Sequence, residues 1–348
     1  MTHPRDVLLG ARVAPLLPVC DHYCGVEARM IKSLALQAEL TQEFGACVLD
    51  VTLDCEDGAP VGGERDHAFL VADLAHQALH AIENVADWLK PRVAVRVHAV
   101  DHLAFENDIE TIVGRVGGSI SHLMLPKVES VAHIERAVAL IDAACSAMPT
   151  LVGLPVHALI ESPSALQQAV AIAAHPRVQS LSFGLMDFVS AHGGAIPACA
   201  MGYAGAPGQA NLDQFHHPLV VRAKLDIAAV CHAHGKVPSH CVVTEYKDPV
   251  AMQAAARWVC RALGYTRMWS IHPDQIRPIL AAFAPEQEEV SVAGEIIAAA
   301  YGANWAPVAR LGKLHDRASY RYFWQVLERA YRTGRLPHSD PAYQFFVS

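Results

Sequence analysis

Charge is scarce in this sequence. Asp, Glu, Lys and Arg supply only 18% of the 348 residues, while hydrophobic residues supply 52%. That balance excludes general disorder and provides for a large core. Basic residues are the rarer sign: the formal charge is −8 and the pI is near 6.2, which argues against a nucleic-acid or anionic-membrane surface. Apolar runs at the N-terminus, "MTHPRDVLLGARVAPLLPVC", are too short and broken for a signal peptide or a membrane span. No histidine pair is spaced with cysteines as in a zinc site, although there are 20 histidines. No G-x-G-x-x-G follows the first apolar run, which weakens a dinucleotide fold. Internal repeats and low-complexity linkers are also missing.

What is present is a set of short strand-like runs. They are "VAPLLPV" (13–19), "CVLDVTL" (47–53), "RVAVRVH" (92–98), "SHLMLP" (121–126), "PVHALI" (155–160), "VQSLSF" (178–183), "VPSHCVV" (237–243) and "TRMWSI" (266–271). Many read as continuously apolar, the pattern of parallel strands covered on both faces. Helical patterns lie between them at 25–45, 64–90, 129–148, 162–175, 218–235 and 248–264. Eight runs alternating with helices predict an α/β fold, a (β/α)8 TIM barrel, over residues 1–290. A C-terminal helical extension, 291–348, is expected to supply a subunit contact. Within it, a helix from about Asp316 to Thr333 carries Tyr320, Phe323, Trp324, Leu327 and Tyr331 at steps of three and four. This aromatic stripe has two readings, packing on the chain's own helices or docking on another subunit. Nine cysteines scattered through apolar runs suit reduced, buried thiols and a cytoplasmic location.

Barrel chemistry sits at the C-terminal ends of the strands. Those positions carry Asp54, Glu56 and Asp57 in "LDCEDGAP", Arg96 in "VRVH", Lys127 and Glu129 in "LPKVES", Glu161 in "LIESPSAL" and Asp187 in "FGLMDF". Glu161 and Asp187 end adjacent strands. Two hard oxygen ligands suit Mg2+, which keeps places for water and substrate; helix capping is the alternative for both acids. Arg96, a guanidinium in a covered strand, must either pair with an acid of "LDCED" or face a polar cavity as a fork for a carboxylate or carbonyl. Lys127 is expected to pair with a strand-end acid, and His272 to hold its loop by hydrogen bonding. The glycine- and proline-rich stretch 190–218 is expected to cover the site.

Taken in order, "LDCEDGAP", "VRVH", "LPKVES", "ALIESPSAL", "LSFGLMDF" and "MWSIHPDQI" resemble the citrate lyase beta-subunit-like and malyl-CoA lyase proteins of the HpcH/HpaI aldolase superfamily, over roughly residues 12–332. The resemblance implies Mg2+ on Glu161 and Asp187. It also implies a catalytic, substrate-holding Arg96, with Glu56, Asp57 and Glu161 at the substrate. Asp316 resembles the catalytic acid or base that such proteins often supply from a neighbouring subunit; an N-cap is its other reading. The activity implied is Mg2+-dependent carbon–carbon cleavage of a 3-hydroxyacyl-CoA, such as citryl-, malyl- or citramalyl-CoA, into an acyl-CoA and a 2-oxo acid, by a homotrimer or hexamer. Alternatives are an aldolase on free 4-hydroxy-2-oxo acids, or a non-catalytic barrel binding acyl-CoA or a 2-oxo acid. The sequence departs from the family in strand seven, where Ser239 or His240 stands in place of an aspartate. It departs also in the first-strand region, which lacks the family's arginine.

Overall fold

Strand residues sort into two faces, and that sorting closes the sheet. In the computed structural model, which describes residues 3–10, 15–80, 86–145, 153–203, 212–310 and 312–347, eight parallel strands form a closed barrel in chain order. They are β1 (Cys20–Cys24), β2 (Leu49–Asp54), β3 (Val93–Arg96), β4 (Leu123–Leu125), β5 (Val156–Ile160), β6 (Val178–Phe183), β7 (Val237–His240) and β8 (Arg267–Ser270). Helices α1 (Pro4–Leu9), α2 (Glu27–Phe44), α3 (Glu64–His80), α4 (Phe105–Val116), α5 (Val131–Cys145) and α6 (Pro163–Ala174) come from the N-terminal half. Short α7 (Leu185–Ser190) is followed by α8 (Pro218–His234), α9 (Pro249–Arg261) and α10 (Ile276–Phe283). No helix among the described residues is long and apolar enough to cross a membrane.

In β2, Leu49, Val51 and Leu53 join the large apolar layer between sheet and helices, while Asp50, Thr52 and Asp54 alternate with them on the inward face. The register repeats this around the barrel: Asp21 pairs Asp50, Tyr23 pairs Thr52, and Asp54 pairs Arg96. The interior is therefore layered. A separate apolar plug of Tyr23, Met124, Leu159 and Trp269, joined by Val242, fills the middle. Below it, at the N-terminal end of the strands, Arg267 meets Asp21 at 2.7 Å and Asp50 at 2.6 Å, with all three side chains fully buried. Arg92 also reaches Asp50, at 2.5 Å. Stacked against this group are His122 and His157, ring centroids 3.5 Å apart. The sequence expectation that many strands are continuously apolar is thus corrected for β1 and β2, whose inward positions carry Asp21, Asp50, Thr52 and Asp54, while β4 is apolar throughout.

That inward polarity also explains the misplaced first strand. The apolar run 13–19 attracted the reading, but the strand is the polar "CDHYC" at 20–24. Pro15 and Pro18 lack the N–H a central ladder needs, and Asp21 is tolerated only because Arg267 lies beside it. Residues 13–14 of that run, 81–85 and 146–148 of two expected helices, and 204–211 of the long loop lie outside the described residues. Helix α4 was not among the expected helices, its apolar positions being interrupted by acids at both ends of its first turn.

After the barrel, α11 (Gln287–Gly302) leads to a short hairpin, β9 (Val308–Arg310) and β10 (Lys313–His315), then α12 (Arg317–Arg332) and α13 (Gln344–Val347). The aromatic stripe packs on the chain itself: Tyr320, Trp324, Leu327 and Tyr331 are buried with Leu8 of α1 and with Val290, Ile296 and Ile297 of α11. Among the nine cysteines none forms a disulfide, and all but Cys199 and Cys260 are buried.

The buried imidazoles carry a pH signature. Burial, with Arg267 nearby, pushes His157 down to about 3; burial, with His272 nearby, pushes His22 down to about 4. Burial and the adjoining His157 likewise lower His122. Unfolded histidines protonate near 6.5, so below that pH the unfolded chain takes up protons that the fold refuses. Stability is then full above about pH 6.5 and lost progressively as pH falls toward 4. Urea unfolding across this range should show the decline. In His157→Gln, less stable at neutral pH, the slope should be shallower; an unchanged slope would assign the proton uptake elsewhere.

Candidate active site

Acids at the strand ends gather around Arg96. Arg96, last residue of β3, donates from Nε to Asp54 Oδ1 at 2.7 Å and from Nη2 to Asp54 Oδ2 at 2.6 Å. Nη2 also meets Asp57 Oδ2 at 2.7 Å, and Nη1 lies 2.9 Å from Glu56 Oε2. Its guanidinium stands over the Tyr23 ring, 5.6 Å from the centroid. The pairing expected with the acids of "LDCED" is therefore present, in bidentate form. The loop carrying those acids is brought in by two glycines. A Cβ on Gly25 would fall 2.6 Å from Gly58 Cα, so only glycine permits the two backbones to cross there.

Glu161 follows β5 and is buried. It does not cap the next helix; Ser162 does, its Oγ accepting from Ala165 N at 2.9 Å and donating to Glu129 Oε2 at 2.7 Å. Glu161 Oε1 instead accepts the Lys127 N–H at 2.5 Å. Lys127 sits at φ +50°, a left-handed conformation costing a non-glycine residue on the order of 1 kcal/mol, and that turn aims its N–H at Glu161. The Lys127 ammonium goes elsewhere, to Glu56 Oε1 at 2.5 Å. The strand-end acid that pairs with Lys127 is thus Glu56. Gly184 supports Glu161 from behind: a Cβ there would lie 2.4 Å from Glu161 Cβ and 2.5 Å from Oε2.

Asp187, in the first turn of α7, lines the same cavity as Glu161, with Lys127, Glu129, Asp101 and Ser190. The cavity is about 570 Å3 in volume, within the ~300–1,000 Å3 common for small-molecule sites. Burial, together with the Asp187 and Glu56 carboxylates and against the Lys127 N–H, pushes the Glu161 carboxyl up to about 8. Asp21, Asp50, Asp54, Glu56 and Asp57 each have a guanidinium at hydrogen-bond distance; among the described residues Glu161 has only a backbone amide. A carboxylate so placed suits a divalent cation, and two hard oxygen donors on an open cavity fit Mg2+.

A second cluster does not fit that ion. Asp21, His122 and His157 offer three buried ligand atoms within 4.8 Å of one another, but imidazole nitrogens are a transition-metal set rather than a Mg2+ set. Asp21 is already matched by Arg267, and the apolar plug lies between this cluster and the mouth.

The structure thus brings Arg96, Glu56, Asp57, Glu161 and Asp187 to one end of the barrel. It does not bring Asp316 there within the chain. Asp316 N-caps α12, its Oδ1 accepting from Ala318 N at 3.0 Å and Ser319 N at 3.3 Å, and it does not line the cavity. His272 caps the turn after β8 through Asp274 N, at 3.2 Å. In strand seven, Ser239 pairs in register with Ser182 and faces inward, whereas His240 bonds the Cys241 carbonyl and stacks on Phe215. Sequence reasoning missed Gly184, the Lys127 amide and the buried Arg267 cluster. Arg267 was open to the same argument as Arg96, a guanidinium inside a covered strand; the other two act through backbone geometry that residue type does not reveal.

Known proteins agree with this architecture. The sequence profile of the family described as HpcH/HpaI aldolase/citrate lyase matches residues 34–273. A crystal structure of a citrate lyase from Burkholderia xenovorans is 46% identical and covers 99% of both chains, with a TM-score of 0.77. An L-malyl-CoA/beta-methylmalyl-CoA lyase of Cereibacter sphaeroides is 29% identical over 84% of this chain and 90% of its own length. At the level of fold alone, protein CitE from Mycobacterium tuberculosis, solved with magnesium, acetoacetate and coenzyme A, covers 92% of this chain and 99% of its own at 20% identity, with a TM-score of 0.58. From barrel, strand-end motifs and family match together, the chain belongs to the HpcH/HpaI aldolase/citrate lyase family of carbon–carbon lyases.

Proposed function

We propose that this lyase is Mg2+-dependent and cleaves, or forms, a 3-hydroxyacyl-CoA such as citryl-, malyl- or citramalyl-CoA, with a 2-oxo acid as the other product. The observation that carries the reading is Glu161: a buried carboxylate facing a cavity with Asp187, pushed up to about 8 by burial and like charge, with no side-chain cation at hydrogen-bond distance among the described residues. Glu161 and Asp187 would hold the ion, which when bound supplies Lewis-acid polarisation of a substrate oxygen. The Lys127 amide fixes one Glu161 oxygen, and Gly184 leaves room for the other. The names of the relatives support the thioester class.

Arg96 supplies the positive field for the 2-oxo acid. Its fork is held rigid by the buried Asp54, whereas Asp57 on the outer side is 74% exposed. A substrate carboxylate can displace Asp57 from Nη2 without unseating Asp54, and Glu56 stays bridged between Arg96 and Lys127. Proton transfer is assigned to Asp316 of a second copy in a homotrimer or hexamer. The residue stands exposed at the α12 start, flanked by Leu314 and Tyr322, which are 77% and 55% exposed and give that corner an apolar docking face.

Assay of the purified protein with malyl-CoA and related thioesters, with and without Mg2+, tests the reading. Turnover should require both thioester and metal; cleavage of free 4-hydroxy-2-oxo acids instead would identify an aldolase, and binding without turnover a non-catalytic homologue. Glu161→Gln and Asp187→Asn should each lower turnover on the order of 10²–10³-fold in folded protein. Normal activity in both would remove the ion from these residues.

Gly184→Ala forces Glu161 to move and should weaken Mg2+ binding by roughly 10–100-fold, as loss of ligand support does. Titration calorimetry showing wild-type affinity would mean that the Glu161 pose does not matter.

Mixing inactive Asp316→Asn subunits with inactive Arg96→Ala subunits should restore part of the activity, since some mixed sites hold both intact residues. If mass spectrometry confirms subunit exchange and no activity returns, Asp316 does not act across subunits.

A further inference from the structure

The end of the barrel opposite the mouth carries its own charged crevice. It is about 490 Å3 in volume and runs between α12 and the N-terminal ends of β1, β7 and β8, whose Val19, Val237 and Thr266 form one wall. Its charged lining is one-sided: Lys236, Arg321, Arg329 and Arg332 against Glu328. Several of these groups are already engaged. Lys236 Nζ donates to the carbonyls of His175 and Val178, at 3.2 and 2.6 Å, and Arg321 Nε to the carbonyl of Leu8 at 2.9 Å. Glu328 accepts from Trp324 Nε1 at 2.7 Å and lies 3.4 Å from Arg5.

Arg329 and Arg332 have neither a side-chain hydrogen bond nor an ion pair among the described residues. They lie three positions apart on α12, and both line the crevice. The Arg332 Nε is buried without a partner. Burial, with Arg92 nearby, lowers Arg332 to about 10; burial, with Arg261 nearby, lowers Arg329. Asp50 and Glu328 near Arg332, and Glu289 near Arg329, offset the burial only in part, and two desolvated charges without a bonded partner favour additional negative charge in the crevice. The crevice continues past Arg332 and Glu328 into a second cavity of about 350 Å3 that Arg92, itself paired with Asp50, also lines.

We propose that this crevice is a binding site for a phosphate-bearing anion, gripped by Arg329 and Arg332 on the face remote from the catalytic mouth. A tetrahedral phosphate presents oxygens to two forks at once, whereas one planar carboxylate is satisfied by a single fork. The site is independent of the reaction proposed for the mouth, because no residue is shared between the two cavities.

Thermal unfolding of the full chain in EDTA, with pyrophosphate as probe and acetate at matched ionic strength as control, tests the assignment. Pyrophosphate should raise the unfolding temperature of the wild type, acetate should not, and the rise should vanish in the Arg329→Gln/Arg332→Gln variant. No rise in the wild type, an equal rise with acetate, or an undiminished rise in the double variant would overturn the site. Should circular dichroism show the double variant unfolded, Arg332→Lys keeps the charge without the fork. Its half-saturating pyrophosphate concentration should increase on the order of tenfold, and an unchanged value would overturn the proposal equally.

Discussion

A carboxylate inside a closed barrel must meet a positive charge, and most of this structure follows from how that demand is satisfied. At the lower end Arg267 answers Asp21 and Asp50 in complete burial. Removing one partner of such a group leaves an uncompensated charge and costs about 3–5 kcal/mol. That pairing allows β1 to be the polar "CDHYC". At the upper end Arg96 answers Asp54, Glu56 and Asp57 and so fixes the loop after β2. Among the described residues Glu161 has a backbone amide and no guanidinium at hydrogen-bond distance. The functional reading grows from this acid and Asp187 beside it.

The mouth and the lower face use arginine in opposite ways. Arg96 is surrounded by acids, so its field is pre-positioned and only its outer, exposed partner is free to exchange. Arg329 and Arg332 have no acids at bonding distance among the described residues, and both line an open crevice. The plug of Tyr23, Met124, Leu159 and Trp269 separates the two regions, so one end can change charge state without rearranging the other. The C-terminal extension lines the lower crevice through α12. Its aromatic stripe packs into the chain's own α1 and α11, which fixes α12 under the barrel and leaves the corner at Asp316 facing outward.

Much of this was legible in the residues. Seven of the eight strand runs overlap the observed strands, because sheet-to-helix contacts require Val, Ile and Leu on the outward positions. The strand-end acids and Arg96 were legible because a charge in a covered strand needs a reason. The first strand was not, since its polar residues are acceptable only with Arg267, more than two hundred residues away in sequence. Nor was the use of Gly184 and Lys127, where what matters is a missing Cβ and a backbone turn. Asp316 shows the limit of a motif: the sequence places it at a helix start, and within one chain it serves there as a cap.

The central claim, that Glu161 and Asp187 are the acids left for a metal, is tested most directly by a crystal structure with Mn2+ and a 2-oxo acid such as pyruvate. Anomalous scattering then locates the ion without reference to activity. The account predicts one peak bound by Glu161 and Asp187 oxygens, with the Lys127 amide still on Glu161 and the 2-oxo acid within reach of Arg96. A peak at Asp21, His122 and His157 instead, or a mouth in which Glu161 contacts no metal, would contradict it.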